Sequence, residues 1–547
     1  MKASVLFVRC LEEEGIKYVF GVPGEETLDL LEAIRDSSLQ FIITHDEQAA
    51  AFMAATVGRL TGKVGVALST LGPGATNLAT GVAYAQLGGM PLLVVTGQKP
   101  IRKSKQGRFQ IVDTVGILRP ITKMAATIVG ADRIPSMVHE AVRVAEFERP
   151  GAVHLELPED VAAEETDVIV IAAQKVRRPG PDPKAVAAAV AALERAKRPL
   201  ILVASGANRK LVRKHLHVFI EKTGIPFVTT QMGKGVEDES SALYHGTAAV
   251  SDNDFVHAAL TRADLVLVVG HDITEKPPVV LTQAHHEVIH INFYPATIDD
   301  VYVPTCEVVG DIAHSLWAIG EAIKPSTHWE LDSFMKLREA LLSDIAEQVN
   351  DESFPLKPQR FVHDLRSAVP QHGILSLDNG MYKIWIARNY PAFEQSSVLL
   401  DNALATMGAG LAGGIAAKLL HPERPVVVVT GDGGFMMSVA ELETAKRLGL
   451  DLVVVIVDDE GYGMIRWKQE EMHFADFGLS FKNPDFVKLA ESFGAHGTRI
   501  SSAAAFAPAI EKAIVEGGIQ LIDCPIDYTQ NSLQFGDALN SKTKKFY

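Results

Sequence analysis

The chain has 547 residues, 47% of them hydrophobic and 22% charged, with a formal net charge of -15 and a pI of about 5.7. That composition suits a globular protein long enough to bury several cores, and the acidic balance excludes nucleic acid or an anionic membrane surface as the main partner. Three scattered cysteines, Cys10, Cys306 and Cys524, exclude a disulfide framework or a zinc spacing and fit a reducing, cytoplasmic compartment.

The opening stretch MKASVLFVRCLEEEG turns acidic after ten residues and lacks a long apolar run, so it reads as the first helix of the fold rather than a signal peptide. No apolar run reaches ~18 residues, and no membrane span is expected. Short buried-strand runs follow (KYVFGVPG, QFIITHDE, VGVALST, PLLVVTG), separated by helical stretches such as 48–60 and 75–86. This βαβ alternation predicts a parallel sheet covered on both faces. A first domain over 1–165 ends after GAVHLELPEDV, and the Pro- and Gly-rich stretch 177–183 reads as a linker. A second α/β domain, 184–325, opens with PLILVASGAN. A charged helix and a Pro-flanked boundary near 354–358 lead to a third, 356–547, with the strands GILSLDNG, PVVVVTGDGG, LDLVVVIVDD and IQLIDCPID. The first and third domains look like loose copies, each placing an Ala/Gly-rich helix before a strand and a Gly-rich turn. The predicted fold class is α/β: three doubly wound parallel-sheet domains, the first and third alike, with a Rossmann-like central domain.

The chemistry concentrates in PVVVVT-Gly431-Asp432-Gly433-Gly434. An acid directly after a buried strand sits at the carboxyl end of the sheet, where open α/β folds bind ligands. The glycines let backbone amides approach an anion. The next strand ends in Asp458-Asp459, with Asp459 twenty-seven residues after Asp432. Adjacent strands would bring both acids to one crevice, and two carboxylates plus a carbonyl and a diphosphate suit Mg²⁺. A GDGG alone is most often only a tight turn; the second acid is what adds weight. Glu47, at the passage from a strand into a largely apolar helix, needs a partner if buried, although a helix N-terminal acid is by itself ordinary. No GxGxxG follows an early strand, which disfavours a Rossmann dehydrogenase.

On these residues the chain resembles the thiamine diphosphate (ThDP)-dependent enzymes, over nearly its whole length and with three domains in family order: pyrimidine-binding, central, diphosphate-binding. The family's metal signature is GDG followed by Asn-Asn; here Asp458-Asp459 stands in the second place. The match implies Mg²⁺ held by Asp432, Asp459 and the carbonyl of Gly461. It implies a diphosphate cradle at Gly431, Gly433 and Gly434, with Tyr462, Gly463 and Met464 beside it. The stretch around Glu47 resembles the family segment whose glutamate holds N1′ of the aminopyrimidine. Leu71-Gly72-Pro73-Gly74-Ala75-Thr76-Asn77 resembles the turn beside that ring, so Gly72, Pro73 and Asn77, with Pro23, are implied cofactor contacts. Met407, in Thr406-Met407-Gly408, is implied to prop the cofactor into a bent shape; a lone Met is otherwise a core filler. Asp378-Asn379-Gly380-Met381-Tyr382 occupies the place of a diphosphate loop, with Gly380 and Met381 implied at the cofactor, although Met381 and Tyr382 depart from the family's Gln-His.

Several stretches resemble acetolactate synthases in particular: Phe109-Gln110-Ile111-Val112-Asp113, Arg119-Pro120-Ile121-Thr122-Lys123, Asn483-Pro484-Asp485-Phe486, and Asp527-Tyr528-Thr529-Gln530-Asn531, which is similar to the tail of catabolic forms. Glu47 and Gln110 are the implied catalytic residues, and Phe109, Gln110, Lys123 and Lys468 are the implied substrate-site residues. Lys468 stands by gapless matching where anabolic synthases carry a substrate-choosing tryptophan. Gly270-His271-Asp272-Ile273-Thr274-Glu275-Lys276 replaces an Arg-containing stretch of FAD-binding relatives, so an FAD-independent enzyme is expected. The implied reaction decarboxylates pyruvate and joins the two-carbon unit to a second 2-oxoacid. Another ThDP-dependent 2-oxoacid decarboxylase or oxidase, or a non-catalytic ThDP-binding subunit, is the alternative. The resemblance also implies a homodimer or homotetramer in which Glu47 of one subunit faces the Asp432 domain of another.

Overall fold

The computed structural model describes all residues except 103–106, 175, 251–252, 277–278, 282–285, 325 and 327. Three six-stranded sheets carry the fold, and every strand pairing within them is parallel. The central strands are short Val/Ile/Leu-rich runs buried between helices, as parallel sheets require, while edge strands such as β5 and β17 are half-buried or exposed.

The first sheet comprises β1 (Tyr18–Gly21), β2 (Gln40–Ile43), β3 (Gly65–Ser69), β4 (Leu92–Gln98), β5 (Met124–Thr127) and β6 (Ala152–Pro158), in the order β2-β1-β3-β4-β6-β5. The second comprises β7 (Pro199–Val203), β8 (Phe227–Thr230), β9 (Tyr244–Ala248), β10 (Leu265–Val269), β11 (Glu287–Asn292) and β12 (Cys306–Val309), in the order β12-β11-β10-β7-β8-β9. The third comprises β13 (Ile374–Leu377), β14 (Val398–Leu399), β15 (Val426–Gly431), β16 (Leu452–Asp458), β17 (His496–Arg499) and β18 (Ile519–Pro525), in the order β14-β13-β15-β16-β18-β17. Counted from its own first strand, the third sheet repeats the order of the first. The second instead has the doubly wound dinucleotide-fold order, read from its other edge.

Strand order fixes where a ligand can sit, because connections diverge to opposite faces where the order reverses and open a crevice at the strand carboxyl ends. In the first sheet that point lies between β1 and β3, so the loops holding Pro23 and Gly72 flank it. In the third it lies between β13 and β15, flanked by Asp378-Asn379-Gly380 and Asp432-Gly433-Gly434.

The chain divides into two compact units. One holds 1–176, 403–422 and 438–450, and the other holds 177–402, 423–437 and 451–547. In the first, the Ala-rich helix Glu47–Thr61 packs on the helices Ala79–Gly88 and Ala409–Leu420. Small residues permit the closeness: a Cβ at Gly65 would collide with the Ala54 carbonyl, one at Gly58 with the Pro91 carbonyl, and one at Gly81 with Ala51. Cys10, Cys306 and Cys524 are free thiols. Among the described residues no helix is long and apolar enough to cross a membrane.

Candidate active site

In the first unit, Asp46 caps the helix Glu47–Thr61 by accepting the Gln48 amide at 2.6 Å, and so places Glu47 at its first position. Glu47 is 7% exposed. Its Oε2 accepts a hydrogen bond from Asn77 Nδ2 at 3.0 Å. Asn77 ends the short helix Pro73–Asn77, which Gly72 enters at φ 53°. A Cβ at Gly74 would lie 2.9 Å from Glu47 Oε1, so this glycine keeps the carboxylate reachable. Glu47, Gly72, Pro73 and Asn77 therefore come together at the head of the first sheet. Pro23 is exposed in the loop after β1, and Gly24 beside it lies tight against Thr70.

Gln110 has a left-handed backbone, φ 57°, and its carbonyl would stand 2.6 Å from a Cβ on Gly72. Phe109 and Gln110 thus lie over the Gly72 turn with their side chains exposed. Met407 is half-buried between two left-handed positions, Ala405 at φ 55° and Gly408 at φ 85°.

Lys123 departs from expectation. It precedes β5, and its backbone amide bonds the Ala152 carbonyl at the amino end of β6. It lies on the sheet edge opposite to Glu47 and Gly72. Its ammonium donates to the carbonyls of Phe147 and Arg149, both at 2.7 Å. Burial and the Arg149 charge push its pKa down to about 8, against the pull of Glu148. Lys123 ties down a loop and does not line the expected substrate site.

Residues outside the motif pattern complete this end of the sheet. Lys99 and Glu26, each 3% exposed at the side chain, form a buried ion pair. Thr70 donates to Glu26 at 2.5 Å. Glu156, at the head of β6, accepts from Gln98 at 2.9 Å, from Thr127 at 2.7 Å and from Thr114.

In the second unit the heads of β13, β15 and β16 gather acids. Asp432 is 1% exposed; its Oδ1 accepts the Gly433 amide at 2.7 Å, and burial raises its pKa. Asp459 is pushed up to about 7, first by burial and next by the Asp432 charge, with Arg466 opposing. The two acids expected to share a cation are thus electrostatic neighbours. The Gly461 backbone lies against Asp432. Among the described residues no group of three or more His, Cys, Asp or Glu side chains is disposed to hold a metal ion. The expected set has only two carboxylates, plus the Gly461 carbonyl and ligand oxygens. Those hard oxygen donors, buried and mutually repelling, suit a divalent cation.

Glycines shape the cradle. A Cβ at Gly433 would meet the Tyr462 ring at 2.8 Å, one at Gly431 the Tyr382 ring at 3.3 Å, and one at Gly463 Asp459 Oδ2 at 2.5 Å. A Cβ at Gly434 would collide with Asp378, and one at Gly380 with the Tyr382 ring. Met381 and Tyr382, each 2% exposed, begin the helix Met381–Asn389. The Tyr382 hydroxyl is buried at the Gly431 backbone. Tyr528 faces Asp459 and Asp432 with a buried hydroxyl that has no hydrogen-bond partner among the described residues. A buried, unsatisfied hydroxyl beside a glycine cradle is a fit for an oxygen-rich anion.

Asn483 was legible only as part of a resemblance, yet its Nδ2 bridges Asp432 Oδ2 and Asp458 Oδ1, both at 2.8 Å. Arg466 Nη1 pairs with Asp459 at 3.3 Å, and Arg499 pairs with Asp458 at 3.2 Å and with Asp523. Met464 is half-buried in the helix Gly463–Glu471. Lys468, on the same helix, pairs with Glu471 at 2.6 Å and lies 4.1 Å from the Trp467 ring centroid. The residue that this helix points at the acids is Arg466, not Lys468.

At the carboxyl ends of the central sheet, Glu275 is 5% exposed and accepts the Ser205 amide at 3.1 Å.

Sequence comparison agrees with the three-sheet division. The chain matches the thiamine pyrophosphate enzyme N-terminal TPP binding domain over residues 1–117, the central domain over 186–319 and the C-terminal TPP binding domain over 378–524. The acetolactate synthase of Bacillus subtilis (strain 168) is 34% identical over 99% of this chain and 97% of its own length. The catabolic acetolactate synthase of Raoultella terrigena is 34% identical, covering 97% and 96%. A probable acetolactate synthase large subunit of Methanocaldococcus jannaschii is 33% identical, covering 96% and 92%. With two like sheets each bearing its site at the switch point, and with relatives matched from end to end, the chain belongs to the thiamine pyrophosphate enzyme family.

Proposed function

We propose that this protein is an acetolactate synthase: it decarboxylates pyruvate and ligates the two-carbon unit to a second pyruvate, giving 2-acetolactate and CO₂. The reading is supported most by one observation. The duplicated sheets carry complementary chemistry at equivalent switch points, a carboxylate held by an amide in the first (Glu47, Asn77) and an acid pair among glycines in the third (Asp432, Asp459).

When bound, thiamine pyrophosphate supplies a thiazolium that stabilises the carbanion left by decarboxylation. Glu47 would hold and exchange a proton at the aminopyrimidine ring, with Asn77 fixing its Oε2 and Gly74 leaving room at Oε1. Asp432, Asp459 and the Gly461 carbonyl would hold Mg²⁺ against the diphosphate, and Gly431, Gly433, Gly434, Tyr382 and Tyr528 would line the cradle. Phe109 and Gln110, laid over the Gly72 turn, would cover the reacting carbons and exclude water, which favours ligation over release of a small aldehyde. A homodimer or homotetramer, with Glu47 of one subunit serving the Asp432 centre of another, is part of the same proposal.

The test is product identification. Purified protein with pyruvate, thiamine pyrophosphate and Mg²⁺ is followed by NMR for 2-acetolactate. Acetaldehyde or acetate as the main product would make it a decarboxylase or oxidase instead. Cofactor binding without CO₂ release would make it a non-catalytic subunit.

A further inference from the structure

The head of the third sheet holds more negative charge than two metal ligands need. Asp378, Asp432, Asp458, Asp459 and Asp523 gather here: Asn483 bridges Asp432 and Asp458, Arg499 bridges Asp458 and Asp523, and Asp378 lies against Gly434. Such a centre attracts a divalent cation, but it also repels the diphosphate that must bind on top of it. Two guanidiniums enter the cluster. Arg499 is committed to Asp458 and Asp523. Arg466 is the ion-pair partner found for Asp459 among the described residues, and it approaches one oxygen, Oδ2, at 3.3 Å.

Arg466 is pinned, not loosely placed. Its Nε donates to Asp476 Oδ2 at 3.1 Å and its Nη2 to Ser480 Oγ at 3.1 Å. Ser480 pairs with Gly461 through an isolated antiparallel bridge, and the Tyr462 amide bonds the Leu479 carbonyl at 3.1 Å. The guanidinium lies over Gly461, where a Cβ would collide with it. The segment that fixes Arg466 is therefore the one that lies along the metal loop, and Glu460 in that loop is held at φ 48°. The Arg466 bond uses Oδ2 and leaves Oδ1 of Asp459 for a cation.

We infer that Arg466, held between Asp459 and Asp476, is a built-in counter-charge of the metal loop, offsetting part of its negative charge so that the centre accepts both a divalent cation and an anionic diphosphate. It is a positioning residue, and the inference rests on the thiamine pyrophosphate reading. The role belongs to charge balance, so a replacement that keeps the positive charge should retain what neutralising Arg466 removes.

The experiment is calorimetric titration of thiamine pyrophosphate into folded protein at saturating Mg²⁺, with folding checked by melting. Arg466→Gln should weaken binding by about tenfold, as an uncompensated buried carboxylate predicts. Arg466→Lys, which keeps the charge, should bind within about threefold of the unsubstituted protein. Unchanged affinity in Arg466→Gln overturns the inference. So does an Arg466→Lys protein as weak as Arg466→Gln, because that loss would reflect a direct or purely structural contact. Absence of binding by the unsubstituted protein would defeat the cofactor reading itself, however Arg466 behaves.

Discussion

Glu47 meets the positive end of its own helix and an amide donor, so its charge is supported without any ligand. Glu47→Ala should leave the melting profile almost unchanged yet lower CO₂ release from pyruvate by about 10²–10⁴-fold, the usual worth of a general acid–base group. Near-normal turnover would remove Glu47 from the mechanism. Lys123 predicts the reverse pattern: Lys123→Met should cost about 1–3 kcal/mol of stability by unpairing the Phe147 and Arg149 carbonyls, while the KM for pyruvate stays put. Asp432 and Asp459 were legible in the sequence because each directly follows a buried strand, so chain position alone sends it to the sheet head, whereas Glu47 starts a helix beyond the 44–46 loop that follows the partly exposed strand β2 and was legible only through its motif. Lys123 was misjudged because it precedes its strand, which sends it to the other edge. Arg466, Asn483, Tyr528 and Lys99 reach the sites from a helix flank or from loops. No local period reports where such residues end up.

The helix Glu47–Thr61 can carry its carboxylate to the sheet head only because it lies close on β3. Gly65→Ala would drive a methyl into the Ala54 carbonyl and lift that helix. Destabilisation of about 1–3 kcal/mol is expected, visible as a lower denaturation midpoint, with weaker cofactor binding in step. Strands with continuous apolar runs, such as β4, β15 and β16, were readable at once. The edge strands β5 and β17 are half-buried or exposed along their length and carry no such signal. Strand order was out of reach for a different reason: it depends on pairings between distant segments. That the first and third sheets share one order while the central sheet has another is what locates the switch points, and only the assembled fold gives it.

Across the whole molecule, buried carboxyls at the third sheet should make stability depend on pH. Asp459 is raised to about 7 and Asp523 to about 6, in both cases chiefly by burial. A carboxyl with a raised folded value binds its proton more tightly when folded, so stability declines as pH rises from the unfolded value towards the folded one. The buried imidazoles of His154, His245 and His271, held down to about 4 by burial, act in the opposite sense at low pH. They are common to any comparison made at one pH. Metal-free Asp459→Asn should therefore melt close to the unsubstituted protein near pH 5 and a few degrees above it near pH 8. Equal melting at both values would mean that burial does not raise the Asp459 carboxyl.

In the proposed oligomer, Glu47 of one subunit and the Asp432–Asp459 centre of another would serve a single cofactor. Glu47→Ala and Asp432→Ala proteins, each inactive alone, can be co-expressed and the mixed oligomers assayed for thiamine-dependent CO₂ release. If the site is shared, each hybrid pair regains one intact centre of two, and a random mixture recovers about a quarter of normal activity. Hybrids confirmed to form yet as inactive as either parent would contradict the account.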